Sequence, residues 1–100
     1  MINSDALIKV RFLTPQEGGR KNDIVGNKYG CPLMINNNEG FDCRFVLNHE
    51  EKFILGKTYN IHIRFLNPHH AMELLREGMD IFLWEGKIIA VGTIIKLNKQ

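Results

Sequence analysis

The fold class is decided by Lys87-Ile-Ile-Ala-Val-Gly-Thr-Ile-Ile-Lys-Leu97, a run of mostly apolar residues with a glycine at its centre. The run follows residues 80–84 across Glu85-Gly86, so the two segments are predicted to form a β-hairpin. Gly92 lies in the middle of the second strand, where a glycine usually marks a bulge or a tight bend. Because a small sheet must bend to close on itself, this segment favours a barrel over a flat sandwich.

Short strand patterns fill most of the remaining chain. In the clearest one, Tyr59, Ile61, Ile63 and Phe65 recur at every second position, which is the period of a half-buried strand. Further strands are predicted at residues 6–13, 32–35, 41–47 and 51–55, with an Asn- and Gly-rich turn at 36–40. Residues 69–77 predict one or two helical turns ended by Gly78. The pattern is typical of an antiparallel barrel or sandwich.

Length and charge exclude several classes of protein. One hundred residues with a net charge of +2 and 44% hydrophobic residues predict a single globular domain over residues 1–100. A chain of this size buries about two-thirds of its surface on folding. The apolar runs are too short to span a bilayer, and no secretory signal is found at the start, so a cytoplasmic location is expected.

No pattern typical of catalysis or of a metal site occurs in the sequence. The single serine is Ser4, and no Gly-x-Ser-x-Gly motif is found. His69 and His70 are adjacent, but neighbouring helical residues point about 100° apart and too few other ligands lie nearby. We therefore predict a protein that is not an enzyme and has no cofactor and no metal.

The two cysteines, Cys31 and Cys43, are predicted to be reduced thiols. Antiparallel counting across a loop at residues 36–40 places Cys43 opposite about Met34, three residues away from Cys31. A disulfide would need the two cysteines to lie opposite each other. Cysteines on barrel strands are usually inert residues of the core.

Residues 14–30 form the most unusual segment, because they contain one proline, four glycines and few large apolar residues. Long ordered loops are uncommon in small domains and tend to be functional. Arg20, Lys21, Lys28 and Tyr29 lie on this segment and could bind a phosphate or an acidic partner, the cations contacting the backbone and the ring stacking. In the alternative interpretation, Glu17 pairs with Arg20 and the lysines are simply solvated.

Trp84 also has two interpretations. A tryptophan on a strand that leads into a tight turn is more often a ring of the core, which is the prediction adopted for Trp84. If the ring is exposed, it becomes a candidate anchor for a partner.

Three stretches occur in order between about Leu7 and Leu97. They are Leu13-Thr-Pro-Gln-Glu-Gly-Gly-Arg20, Gly26-Asn-Lys-Tyr-Gly-Cys-Pro32, and Pro68-His-His-Ala-Met72 with Leu75-Arg-Glu-Gly78 and Trp84-Glu-Gly-Lys-Ile-Ile-Ala-Val-Gly92. In this order they resemble the C-terminal barrel domain of bacterial elongation factor Tu and related translational GTPases. That domain has a Glu-Gly-Gly-Arg loop, a Gly-Tyr-Arg-Pro segment and a closing hairpin with a Val-Gly-x-Gly strand. The resemblance implies a six-stranded antiparallel Greek-key barrel with one short helix near residues 69–77.

The resemblance also implies a role in binding, because in the family this barrel contacts a neighbouring barrel, the tRNA T stem and exchange factors. GTP hydrolysis is excluded, since no Gly-x-x-x-x-Gly-Lys-Ser/Thr motif occurs. The sequence also departs from the family: Ile35-Asn-Asn-Asn-Glu39 replaces an Arg-Thr-Thr-Asp stretch of the RNA-facing surface and has no basic residue.

We therefore expect a stand-alone binding module that contacts tRNA, the ribosome or a factor through residues 18–29 and 85–87. The predicted contact residues are Arg20, Lys21, Lys28, Tyr29 and Lys87. The alternative is an inhibitor or immunity-type protein whose partner is a protein outside translation. The sequence does not decide the oligomeric state.

Overall fold

A computed structural model describes residues 3–98. The strands are β1 (Ala6–Phe12), β2 (Ile24–Gly26), β3 (Gly30–Met34), β4 (Gly40–Phe45), β5 (Glu51–Phe53), β6 (Thr58–Phe65), β7 (Asp80–Trp84) and β8 (Ile88–Leu97). One helix, α1 (Pro68–Leu74), follows β6, and a single 3-10 turn spans Pro15–Glu17.

Six of the strands close into an antiparallel barrel in the order β1-β6-β4-β3-β7-β8. β8 pairs with β1, which places Leu97 opposite Ala6 and leaves no free edge in this sheet. In the barrel, β3, β4 and β6 lie side by side in the order in which they occur in the chain. β1, which precedes them in the chain, pairs with the other edge of β6, and this is a Greek-key arrangement. The predicted six-stranded antiparallel Greek-key barrel with one short helix is confirmed. β2 and β5 form a separate two-stranded sheet.

The core follows from strand alternation, since every second side chain of a strand points to the same face. Ile8, Val10 and Phe12 of β1 are fully buried, and the inward positions of the other barrel strands complete the core around them. The small sheet is attached at one end of the barrel by aromatic packing. Phe53 of β5 lies 5.7 Å from Phe12 and 5.0 Å from Tyr59 between ring centroids.

Gly92 lies at the place where β8 approaches β1 most closely. It is opposite Val10 on β1 and Ile81 on β7. A methyl group on Gly92 would overlap the backbone carbonyl of Lys9. The glycine therefore permits a close backbone contact between β8 and β1. The register shifts in the pairing of β8 lie opposite Leu7/Ile8 and Leu83/Trp84, so the bulge expected at Gly92 is not found there.

The helix is shorter than predicted, because it ends at Leu74 and not at residue 77. Leu75 takes an extended conformation (φ −84°, ψ 148°), and its side chain is fully buried. Gly78 has φ +85° but lies beyond the helix, in a turn where the Met79 N–H donates to the Arg76 carbonyl at 3.2 Å. The prediction that Gly78 directly ends the helix is wrong. No helix among residues 3–98 has the length and apolar character needed to cross a membrane.

The β3–β4 hairpin has a different register from the one predicted. Cys31 lies directly opposite Cys43, and Met34 lies opposite Gly40. The Ile35 N–H donates to the Glu39 carbonyl at 3.0 Å, so the pairing continues past Met34 and Gly40 and the loop is shorter than the predicted residues 36–40. The expected offset between the cysteines is therefore wrong. Both cysteines are nevertheless free and buried.

Candidate functional site

The predicted contact loop and the tip of the β7–β8 hairpin meet at three side chains. Nη1 of Arg20 donates to both carboxylate oxygens of Glu85, at 2.7 and 2.5 Å. The Tyr29 hydroxyl donates a hydrogen bond to Glu85. The Arg20 guanidinium also lies 5.9 Å from the centre of the Tyr29 ring. We call Arg20, Tyr29 and Glu85 the Glu85 cluster.

Local backbone geometry positions the arginine. Gly18 ends the 3-10 turn with φ +87°, a left-handed conformation that suits glycine. Gly19 then packs against the backbone of Leu13, where a side chain would overlap. Nε of Arg20 donates to the Asn22 carbonyl at 3.1 Å, which fixes the direction of the side chain towards the hairpin tip.

Tyr29 and Glu85 are held in place by two different elements, β4 and the turn between β7 and β8. The Tyr29 ring packs on Phe45 of β4, with ring centroids 4.9 Å apart. Glu85 lies in the turn that Gly86 allows with φ +72°, and its N–H donates to the Lys87 carbonyl at 2.8 Å. Partial burial is the main reason that the pKa of Tyr29 is raised, and the hydrogen bond to Glu85 adds to it. The phenol therefore stays protonated as a donor.

The structure brings Arg20 and Tyr29 together, and the three predicted lysines are their neighbours or the neighbour of the hairpin tip in the chain. Lys21 and Lys28 adjoin Arg20 and Tyr29 in the chain, Lys87 follows the hairpin tip, and all three are exposed. Within residues 3–98 none of these lysines forms an ion pair. The polar groups of Arg20 and Tyr29 instead bind Glu85. The cluster therefore holds the loop against the hairpin tip, and the exposed lysines supply the unpaired positive charge of this surface.

The alternative ion pair between Glu17 and Arg20 is wrong, because Glu17 binds Arg11. The two side chains form two hydrogen bonds, at 2.9 and 2.8 Å. The Thr14 N–H donates to the same carboxylate at 3.0 Å, which caps the 3-10 turn. The hydrogen bonds from Arg11 and Thr14 lower the pKa of Glu17 to about 2.

Sequence reasoning assigned no role to Glu85 as the acceptor of the cluster, nor to Arg44 as a further basic residue. A shallow pocket beside the cluster is lined by Lys28, Tyr29 and Arg44, among others. Arg44 is exposed on β4 opposite Arg64 of β6. Alternation could have indicated Arg44, because Cys43 and Phe45 on either side of it are typical inward residues. Glu85 carried no such signal, since its partners come from a distant segment.

Trp84 is exposed to 39%, so the prediction of an interior ring is wrong. Leu83 is fully buried, and alternation therefore turns Trp84 outward. Ile88 lies opposite Trp84 on the outer surface, and Val91 lies opposite Phe82. We call these four residues, Phe82, Trp84, Ile88 and Val91, the Trp84 face. Aromatic residues of this kind are common anchors in protein interfaces.

Two of the four histidines pack against or bind other residues of the barrel. His70 packs edge-on against Phe41 at 5.3 Å between ring centroids, and Nδ1 of His62 lies 3.0 Å from the Ser4 hydroxyl. Among residues 3–98 no group of three or more His, Cys, Asp or Glu side chains is arranged to hold a metal ion. The surface thus combines free lysines with an apolar face beside an ordered ionic cluster, an arrangement suited to recognition. No protein-family model matches the chain, and no curated protein matches it either.

Proposed function

We propose that this protein is a non-enzymatic binding module that contacts a component of the translation machinery through residues 18–29 and 85–87. The Glu85 cluster carries the proposal, because it joins these two distant segments into one surface. Segments that are ordered before binding lose less conformational entropy when a partner docks. The resemblance to the C-terminal barrel of elongation factor Tu supports the choice of partner.

The free charges of this surface suit an RNA backbone or an acidic protein surface. Lys21, Lys28 and Lys87 are exposed, and each lies within two residues of a member of the cluster in the chain. Three cations engage only a few phosphates, so RNA binding is expected to be weak and to fall with rising salt. A plot of log affinity against log salt should have a slope of about −2 to −3.

The test is binding to purified tRNA and ribosomes, measured by gel shift and by co-sedimentation over a range of salt concentrations. Replacing Lys21, Lys28 and Lys87 together by Ala is expected to weaken binding by about tenfold or more. The matched control replaces Lys9, Lys57 and Lys96, which are exposed elsewhere on the barrel, and should change affinity by less than about twofold. Absence of salt-sensitive binding at micromolar protein would contradict the proposal.

The Trp84 face favours a second candidate, an inhibitor or immunity-type protein that binds a protein outside translation. Trp84 and Ile88 lie next to the tip and are 39% and 37% exposed. A buried aromatic anchor can supply about 2 kcal/mol or more of binding free energy. Affinity capture followed by mass spectrometry distinguishes the two candidates. If the second candidate is right, Trp84→Ala should abolish capture of one non-translational protein, whereas the triple lysine variant should still capture it.

A further inference from the structure

Cys31 and Cys43 form a pair of neighbouring thiols beneath the Glu85 cluster. They lie directly opposite each other on β3 and β4. Two residues along, the Phe45 N–H donates to the Tyr29 carbonyl at 2.9 Å, so the cysteines also occupy a hydrogen-bonded position of the ladder. Opposite Cα atoms at such a position are about 5.5 Å apart. A disulfide spans roughly 4.4–6.8 Å between its Cα atoms.

Both side chains point into the same part of the interior. Cys31 is 5% exposed and Cys43 is fully buried. The Cys43 thiol donates to the Cys31 carbonyl at 3.2 Å, which keeps its sulfur on the side of its partner. The two side chains therefore lie on the same face of the β3–β4 pair.

The two thiols have different chemical surroundings. The neighbouring Cys43 thiol is the main reason that the pKa of Cys31 is lowered. The interaction with Cys31 and burial raise the pKa of Cys43. Cys31 is also the more accessible residue, 5% exposed against 0% for Cys43, so Cys31 is expected to react first.

We propose that Cys31 and Cys43 are an oxidative modification site, a dithiol that a low-molecular-weight hydroperoxide converts reversibly into a disulfide. The Cys31 thiolate attacks the peroxide oxygen, the O–O bond breaks, and Cys31 becomes a sulfenic acid. The Cys43 sulfur then displaces the sulfenic hydroxyl, which leaves as water. In sum, two thiols lose two electrons and two protons, and hydrogen peroxide is reduced to two water molecules.

The position of the pair predicts that the disulfide is easily reduced. Opposite Cβ atoms in a hydrogen-bonded pair of strands lie farther apart than the roughly 3.8 Å preferred by a disulfide. The bond therefore forms with some strain, and strained disulfides have more oxidising potentials. This inference does not depend on which partner the protein binds.

The test treats the full, reduced chain with hydrogen peroxide and follows its intact mass and its titratable thiols. We expect both thiols to disappear together, the mass to fall by that of two hydrogen atoms, and dithiothreitol to reverse both changes. N-acetylcysteine at an equal concentration, treated with hydrogen peroxide in the same way, serves as the reference thiol. The proposal is overturned if both thiols of the protein remain titratable when this reference has been fully oxidised. Irreversible addition of oxygen to Cys31 or Cys43 of the wild-type chain, distinguished by peptide mass spectrometry from oxidation of the four methionines, would also overturn it.

Single variants separate the roles of the two cysteines. With Cys43→Ser, the Cys31 sulfenic acid should persist and be trapped by dimedone, whereas Cys31→Ser should react at least tenfold more slowly than the wild type. The reverse order of reactivity would contradict the assignment of Cys31 as the attacking thiol.

A second experiment uses the wild-type chain and so does not depend on whether the variants fold. Phenylarsine oxide, which bridges adjacent thiols, should bind with one arsenic per chain. Failure of this reagent to protect both thiols would contradict their pairing.

Discussion

At the scale of the residue, Gly92 is the position where the space available to a side chain most directly limits the fold. It faces β1 on one side and β7 on the other. The carbonyl of Lys9 occupies the volume that a Cβ would need. A rigid backbone atom cannot move aside as the end of a flexible side chain can, so any larger residue must separate the closing strands.

Gly92→Ala is therefore expected to lower the free energy of unfolding by about 3 kcal/mol or more. Urea denaturation followed by far-ultraviolet circular dichroism measures this loss. Gly86→Ala is the control, because Gly86 has φ +72° but no atom lies within 4 Å of its would-be Cβ. The control should lose only about 1 kcal/mol, the cost of a left-handed conformation. Equal losses in the two variants would contradict the steric explanation.

The carboxylate of Glu17 predicts a dependence of stability on pH. Its pKa falls from the ordinary 4.5 to about 2 in the folded protein, mainly because Arg11 and the Thr14 N–H bind the ionised form. A lowered pKa stabilises the folded state above the unfolded value, and this stabilisation is lost as the pH falls through the folded value. Glu17 therefore contributes fully above about pH 4.5 and ceases to contribute near pH 2.

Comparison of wild type with Glu17→Gln isolates this contribution. The difference in melting temperature between them should be largest above pH 4.5 and shrink as the pH approaches 2. Glu50→Gln, at an exposed carboxylate without an ion pair among residues 3–98, should not show this change. If the difference in melting temperature between wild type and Glu17→Gln does not change with pH, the charge of the Glu17 carboxylate does not contribute to stability.

At the scale of the element, the loop of residues 18–29 owes its order to side chains from other segments. Apart from the three residues of β2, it has no ladder of backbone hydrogen bonds. The Glu85 cluster connects it to the β7–β8 tip, and Tyr29 connects it to β4 through Phe45. Weakening the cluster should therefore loosen the loop while the barrel stays folded.

Glu85→Gln removes the charge of the acceptor and keeps its shape. The ion pair is partly exposed, so its contribution is about 1 kcal/mol, which corresponds to about fivefold faster amide exchange in residues 18–29. Hydrogen exchange with mass spectrometry measures this change. Glu73→Gln, at an exposed carboxylate of α1 that forms no ion pair among residues 3–98, should leave exchange in residues 18–29 unchanged. Unchanged exchange in Glu85→Gln would mean that the cluster does not order the loop.

Local patterns predicted the elements better than they predicted where the elements end. The alternation around Ile61 and Ile63 identified β6, because burial on one face is visible in consecutive residues. The end of α1 was missed, since the burial of Leu75 is decided by the core and not by helix propensity. The register of the cysteines was missed because Glu39 and Gly40, assigned to the turn, pair with Ile35 and Met34, and a shorter turn shifts every pair in the hairpin.

At the scale of the whole molecule, closure depends on contacts between the two ends of the described chain. Ala6 pairs with Leu97, and Val10 pairs with Gly92. Such distant pairings are not carried by any local pattern, so the sequence predicted a barrel but not which loop would meet which turn. The contact of Arg20 with Glu85 is of the same kind, which is why the alternative interpretation named only the nearby Glu17 as a partner of Arg20.

We expect the barrel to unfold in one cooperative step and to refold in milliseconds to seconds, because non-local strand pairing is slow. Far-ultraviolet circular dichroism and the fluorescence of the single tryptophan, Trp84, should give coincident urea transitions. Trp84 lies on β7, whereas the dichroism reports all strands. Separate midpoints would show that the β3–β7–β8 side unfolds independently of the β1–β6 side.

The pairing of β1 with β8 also brings residues 4 and 98 together. The Asn98 side-chain amide donates to the Ser4 carbonyl at 3.0 Å, and the Asn98 N–H donates to the Asp5 carbonyl at 2.9 Å. A short peptide link between these positions, with new ends opened among the exposed residues 36–38, would preserve the ladders of the barrel. The fold is thus compatible with circular permutation and with insertion into a surface loop of another protein, since host and guest would be joined at two adjacent points.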